Sequence, residues 1–183
     1  MASALIQERQ TVSGNQMRME RILEDAGQTF LAGTPLMINS ANGMLKAWDG
    51  TTVAFGIAGI AKEFGANLSV AGTAQDLGFG SVPNETGAQN KARPIFNDGK
   101  TGVVVATPDT VFFAQVGPAQ SAAQTLVGKQ LGMTKDSDNH WFVDTSKVTV
   151  GTNTVVTVIG LDQWDTARGV LFVFLTGAAQ LVA

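Results

Sequence analysis

The sequence contains no cysteine and no tyrosine, and it has a single histidine. The absence of cysteine excludes disulfide bonds, thiolate metal sites and a cysteine nucleophile. No run approaches the roughly 20 apolar residues that a membrane-spanning helix needs, and residues 1–16 lack the basic start and apolar core of a secretory leader. We therefore expect a protein that is made in the cytoplasm and has no membrane partner.

Charge is also scarce. Charged residues make up 15% of the 183 residues, 44% are hydrophobic, and the formal net charge is −3. Average soluble domains carry about 25% charged residues. Lys and Arg are scattered, not clustered as phosphate binding requires, so we expect no nucleic-acid partner. A chain with so little charge buries much of its surface either on itself or against partners, and we favour partners.

From residue 29 onward the sequence has the pattern of short strands separated by turns. Asn42-Gly43 and Asp49-Gly50 are dipeptides typical of tight hairpins, in which both central residues take positive φ. The almost unbroken apolar run at 169–175 is typical of a strand covered on both faces. No long amphipathic helix follows residue 28. The sequence predicts a mainly β protein, a short-stranded β-barrel or β-sandwich of about ten to twelve strands.

The chain divides into three segments. Residues 1–28 are polar with isolated apolar residues, and we interpret them as an extended N-terminal arm in which 16–25 can form a short helix. Such an arm is either a loose terminus or a segment that orders on a neighbouring subunit. Residues 29–118 form a β domain. Residues 119–183 follow a polar, Ala-rich joint, and they either form a second β unit or complete the same barrel.

The residues offer little for catalysis. His140 is the only histidine, it stands in a predicted turn, and no Gly-x-Ser-x-Gly motif accompanies it. The stretch from Asp136 to His140 begins like a calcium loop, but Trp141 replaces the glycine at the sixth position and Lys147 replaces the glutamate at the twelfth. We expect a polar turn there. The sequence predicts no enzyme, no metal and no cofactor.

The aromatic residues are ten Phe and three Trp. Phe has no polar group to keep hydrated, so the ten Phe indicate a core. Trp48, Trp141 and Trp164 each adjoin a polar turn. Contact with a partner and plain packing at an edge are equally open interpretations for them.

Three motifs in residues 33–58 resemble one known family. They are Gly33-Thr-Pro-Leu-Met37, Gly43-Met-Leu-Lys-Ala-Trp-Asp-Gly-Thr51 and Phe55-Gly-Ile-Ala58. Together they resemble the head decoration (cement) proteins of tailed phages, including the lambda-like ones. In the second half, Leu126-Val-Gly-Lys-Gln-Leu-Gly-Met-Thr-Lys-Asp136 and Arg168-Gly-Val-Leu-Phe-Val-Phe174 are similar to phage capsid or cement proteins.

The resemblance implies a β-tulip-like fold and a virion protein on the outer surface of the capsid. It implies a homotrimer that bridges major capsid protein subunits at three-fold and quasi-three-fold positions. With the resemblance, we favour the N-terminal arm as the segment that reaches the major capsid protein. The candidate contacts with the capsid or within the trimer are Arg9, Arg18, Arg21, Trp48 and Trp164. The alternative is a carbohydrate- or receptor-binding virion module, which needs exposed aromatic side chains, and a small hydrolase is the weakest interpretation.

Overall fold

The computed structural model describes residues 6–12, 16–50, 56–65, 99–148 and 154–175. Within these ranges the chain forms eleven strands and one short 3-10 helix, Gln124–Leu126, which confirms the mainly β fold. The strands are β1 (Gln7–Thr11), β2 (Met19–Leu23), β3 (Pro35–Ile38), β4 (Leu45–Ala47), β5 (Ile57–Ala61), β6 (Lys100–Val105), β7 (Thr110–Gln115), β8 (Gln130–Lys135), β9 (Trp141–Asp144), β10 (Val156–Leu161) and β11 (Gly169–Phe174).

The first sheet has six strands in the order β1-β7-β11-β10-β8-β9, and all neighbours are antiparallel. A bridge between Val116 and Val143 brings β9 back to the end of β7. The N–H of Gly117 also donates to the carbonyl of Val143 at 3.1 Å. Strands β7, β11, β10, β8 and β9 therefore form a ring, and β1 is added along β7.

The second sheet has five antiparallel strands in the order β2-β6-β5-β3-β4. Its two outer strands also meet, because Glu24, just after β2, bridges to Leu45 in β4. The N–H of Asp25 donates to the carbonyl of Leu45 at 2.8 Å. Both sheets thus bring their first and last ring strands together, which leaves few unpaired strand edges.

Two apolar cores lie on opposite faces of the second sheet. Successive side chains in a strand point to opposite faces, so Val103 enters the small core of the second sheet while Val104 enters the large core shared with the first sheet. The large core contains three Phe rings, with Phe112 against Phe174 at 5.3 Å and against Phe172 at 5.9 Å between centroids. The second sheet is therefore packed on both faces.

A pair of indoles joins the two sheets. Trp48 follows β4 in the second sheet, and Trp141 begins β9 in the first. Their rings stack with centroids 5.0 Å apart and an interplanar angle of 21°. They are only 2% and 4% exposed, respectively. This pair is part of the packing between the sheets.

The turn dipeptides occur where the sequence predicts turns, but neither has two positive φ angles, because only the glycine of each takes one and Asn42 and Asp49 do not. Gly43 has a φ of 72°, whereas Asn42 is not at positive φ, so the prediction of two positive φ angles is wrong here. The reason is a longer connection between β3 and β4, whose asparagines are held by one carboxylate. Asp25 accepts hydrogen bonds from the amides of Asn39 at 2.6 Å and Asn42 at 3.0 Å. Gly50 has a φ of 88°.

The N-terminal segment differs from its predicted local structure. The short helix predicted for residues 16–25 is wrong, because Met19–Leu23 is strand β2 and pairs with β6 over its whole length. Pairing with a neighbouring strand outweighs a weak local helix preference. Strand β1 pairs with β7, and β7 pairs with β11. Segments 1–28, 29–118 and 119–183 thus each contribute strands to the first sheet. The sequence also predicts short strands at 66–70 and 75–79, and both lie outside the described residues.

Candidate contact surfaces

Trp164 is the most exposed large hydrophobic side chain of the described residues. It lies in the loop that connects β10 to β11 and is 88% exposed. A buried indole of this size contributes strongly to binding, and Trp is among the residues most enriched in interface hot spots. An indole left in water is therefore a candidate contact.

The loop that carries Trp164 is held in place by two aspartates. Asp162 accepts a hydrogen bond from the N–H of Trp164 at 3.4 Å. The carboxylate of Asp165 accepts from the amide of Gln115 at 2.7 Å and from the N–H of Arg168 at 3.1 Å. Aspartate commonly stabilises turns by binding nearby backbone N–H groups. The loop is fixed on both sides of an indole that projects into solvent.

Arg9 supports the same loop. Its guanidinium lies 3.3 Å from the carboxylate of Asp162, which is 5% exposed, and 4.8 Å from the centre of the Phe113 ring. The structure thus brings together Arg9 and Trp164, two of the predicted contact residues, through Asp162. In the described chain Arg9 acts within the subunit.

The other two predicted arginines also meet acidic groups of the same chain. Arg21 contacts Glu63 at 2.6 Å and donates to the carbonyl of Lys100 at 2.9 Å. Arg18 pairs with Glu20 at 2.8 Å, and the two side chains are 50% and 39% exposed. Exposed pairs of this kind contribute about 0–1 kcal/mol. Of the three arginines, Arg18 is the most accessible to a partner.

Trp48 lies apart from the other predicted contact residues. It is buried against Trp141, and its N–H donates to the carbonyl of Pro35 at 2.9 Å. The described surface therefore does not present Trp48. Its position next to a polar turn gives no sign of this burial, since Trp164 has a similar sequence neighbourhood and the opposite exposure.

Exposed apolar side chains gather at opposite ends of β7. The N-terminal surface consists of Val12, Arg18 and Met19. Val12 and Met19 are 66% and 61% exposed, and Val12 donates its N–H to the carbonyl of Asp109, just before β7 begins. Arg18, next to Met19, accepts the N–H of Val105 at the end of β6, which a short turn joins to the start of β7. At the other end of β7, the amide of Gln115 donates a hydrogen bond to Asp165 in the loop that carries Trp164. A strand of this length spans about 17 Å, so the described residues present at least two separate candidate contact surfaces.

The turn between β8 and β9 gathers the three residues of the calcium-loop-like stretch. Asp136, Asp138 and His140 place one potential ligand atom each within 4.8 Å of one another. The carboxylate of Asp136 accepts the backbone N–H groups of Asp138 and His140, both at 2.9 Å. Partial burial acts to raise the pKa of Asp136, but these hydrogen bonds outweigh it and lower the pKa. The carboxylate of Asp136 thus stabilises the polar turn that the sequence predicts.

A second carboxylate organises the polar joint between β7 and β8. Asp144 is 8% exposed and accepts hydrogen bonds from the Ser146 hydroxyl at 2.6 Å and the Gln120 amide at 2.9 Å. Burial acts to raise the pKa of Asp144, and the Ser146 and Gln120 hydrogen bonds, with the charge of Lys147, lower it overall. These contacts stabilise the chain reversal after β9.

Sequence reasoning identified Arg18 of the N-terminal surface, but not Val12 and Met19 beside it or the aspartates of the Trp164 loop. The pattern Asp162-Gln-Trp-Asp165 carries a signal for these aspartates, because aspartates around a turn often bind backbone N–H groups. Val12 and Met19 carry no such signal, since their exposure depends on the pairing of β1 and β2 with distant strands.

Comparison of the chain with protein-family models, with curated proteins and with solved structures gave no match. Over the described ranges, no helix has the length and apolar character needed to cross a bilayer.

Proposed function

We propose that this protein is a structural virion protein that decorates the head of a tailed phage and stabilises it by bridging major capsid protein subunits. It acts as a homotrimer at three-fold and quasi-three-fold positions on the outer surface of the shell. It carries out no reaction. The resemblance of residues 33–58 to head decoration proteins supports this proposal from the sequence.

The two separate contact surfaces carry the proposal. A cement protein has to hold its own copies together and to hold the shell beneath them, which requires separate surfaces for these two roles. Val12 and Met19 at one end of β7, and Trp164 at the other, meet that requirement. A trimer that engages three equivalent sites gains about 10²–10⁴ in avidity, so each single contact with the shell can be weak.

The polar groups of the described residues support a binding protein over an enzyme. His140 contacts Asp136 at 3.3 Å within a half-exposed turn. Asp136 in turn binds backbone N–H groups. General acid–base catalysis usually relies on a side chain whose pKa has moved toward the working pH. The aspartates with shifted pKa values, Asp25, Asp136 and Asp144, have moved the other way.

Binding to phage heads tests the proposal. Purified protein is mixed with expanded heads that lack their decoration protein, and bound protein is measured by co-sedimentation and by the temperature at which heads release DNA. We expect saturable binding and a higher release temperature. Met19→Asp, which places a charge on the N-terminal surface, should weaken binding, while Leu23→Asp, the same change at an exposed apolar residue at the other end of β2, should weaken it much less. Wild-type protein that leaves the heads uncoated at every concentration would refute the proposal.

The exposed indole of Trp164 also favours a second candidate, a carbohydrate- or receptor-binding virion module. Glycan-binding sites commonly use exposed aromatic rings as platforms. Trp48 and Trp141 are buried, so Trp164 is the one tryptophan of the chain that can serve in this way. A glycan array probed with wild type and Trp164→Ala tests this. Signals that disappear in the variant support glycan binding, and an array without signals rejects it.

A further inference from the structure

The first sheet has a shallow depression beside the start of β8. Gly128, Lys129, Gln130 and Val148 line it. Gly128 has a φ of 85° and no atom within 4 Å of the position a Cβ would occupy, so the backbone there is open to an approaching ring. Val148 is 52% exposed and forms an apolar wall. A flat aromatic side chain can lie over such a floor.

The charges of the depression and the loop are also complementary. Lys129 is exposed and, among the described residues, has no acidic partner. Asp165, next to Trp164, is half-buried, and its carboxylate accepts hydrogen bonds from Gln115 and from the N–H of Arg168. Among the described residues, this carboxylate forms no ion pair with a cationic side chain. A Lys ammonium is attracted both to a carboxylate and to the face of an indole.

One subunit cannot fill its own depression with its own indole. The depression lies beside the middle of β10. There the carbonyl of Lys129 accepts the N–H of Val158 at 3.0 Å, and the N–H of Gly128 donates to the carbonyl of Val158 at 2.8 Å. Trp164 lies beyond the end of β10, in a loop fixed by Asp162 and Asp165. The indole and the depression are therefore available to two different neighbours.

We infer that Trp164 of one copy of this chain docks in the depression formed by Gly128, Lys129, Gln130 and Val148 of a second copy. Lys129 then meets both the indole face and Asp165. Because the loop and the depression are different patches, the contact is head-to-tail, and such contacts close into a ring when the rotation between copies permits it. The ring of three rests on the proposed function, whereas the contact itself does not.

Mixing two defective variants tests the contact. Trp164→Ala removes the indole and keeps the depression, and Lys129→Glu places a carboxylate against Asp165 and keeps the indole. Association is measured by sedimentation velocity over a concentration series. Each variant alone should have a dissociation constant raised by about 30-fold or more, the size of an interface hot spot. An equimolar mixture retains one intact contact per pair and should form one-to-one dimers. Leu23→Ala, which shortens an exposed apolar side chain at the end of β2, should associate as wild type does.

A charge exchange at an exposed neighbour gives a second test. Gln163 is exposed beside Trp164. Gln163→Lys should weaken association by repelling Lys129, and adding Lys129→Glu should restore it relative to either single variant. Wild-type protein that stays monomeric, single variants that associate normally, or a mixture that stays monomeric would each overturn the contact. Protein that associates in this way but ignores phage heads would overturn the proposed function and leave the contact standing.

Discussion

Replacing Trp141 with alanine should remove a large part of the stability of the fold. Trp141 is 4% exposed and stacks on Trp48 across the junction of the two sheets. Truncating a buried Trp to Ala typically costs about 3–5 kcal/mol. For a chain of this size each kcal/mol lowers Tm by about 2–4 °C, so we expect Tm to fall by about 6–20 °C. Trp164→Ala is the matched control and should change stability by no more than about 0.5 kcal/mol.

The measurement is urea unfolding followed by far-UV circular dichroism, on protein dilute enough to be monomeric. Monomeric protein is needed because self-association would add its own concentration-dependent stability. A double-mutant cycle with Trp48→Ala should give a coupling of about 0.5–1.5 kcal/mol from the stacked rings. Equal small losses at Trp141 and Trp164, or a coupling near zero, would refute the reasoning that this pair joins the sheets.

Two further predictions follow from the packing and the carboxylates. Gly59→Ala should lower the free energy of unfolding by at least about 3 kcal/mol, because the added Cβ would lie 2.2 Å from the carbonyl oxygen of Val104 in β6. Gly160→Ala should lower it by less than about 1.5 kcal/mol, because there the Cβ meets only Leu171, at 3.7 Å. Similar Tm values for the two variants would contradict this prediction. The pKa of Asp144 is lowered from 3.8 in the folded protein. The stability that this carboxylate contributes is therefore fully present above pH 3.8 and is lost as the pH falls through the lower folded-state pKa. Asp144→Asn should lose less stability than wild type on acidification below about pH 4, and parallel pH profiles of the two proteins would count against this prediction.

The strand pattern was predictable where the apolar pattern is strong and local. The runs around β10 and β11 indicate strands from their composition alone, and Gly43 and Gly50 mark turns because they take positive φ. Strand β2 was not predictable, since its sequence, Met-Glu-Arg-Ile-Leu, lacks the alternation of a strand and becomes one only by pairing with β6, far away in the chain. The closure of each sheet depends on equally distant contacts, such as the one between Val116 and Val143.

The contact surfaces were predictable only in part. Trp164 was among the candidate contacts, and its exposure in a fixed loop agrees with that prediction without testing it. Trp48 has the same kind of sequence neighbourhood but is buried, because the second sheet places it against Trp141. Arg9 and Arg21 have acidic partners within the chain, Asp162 and Glu63, that lie 153 and 42 residues away in sequence. No local pattern reveals such pairings.

A cryo-electron map of expanded heads mixed with the purified protein tests the central claim most directly. The account predicts three copies around each three-fold and quasi-three-fold position, with Val12 and Met19 facing the major capsid protein and Trp164 buried against a neighbouring copy. A bare shell under saturating protein, or bound single copies whose Trp164 remains in solvent, would contradict it.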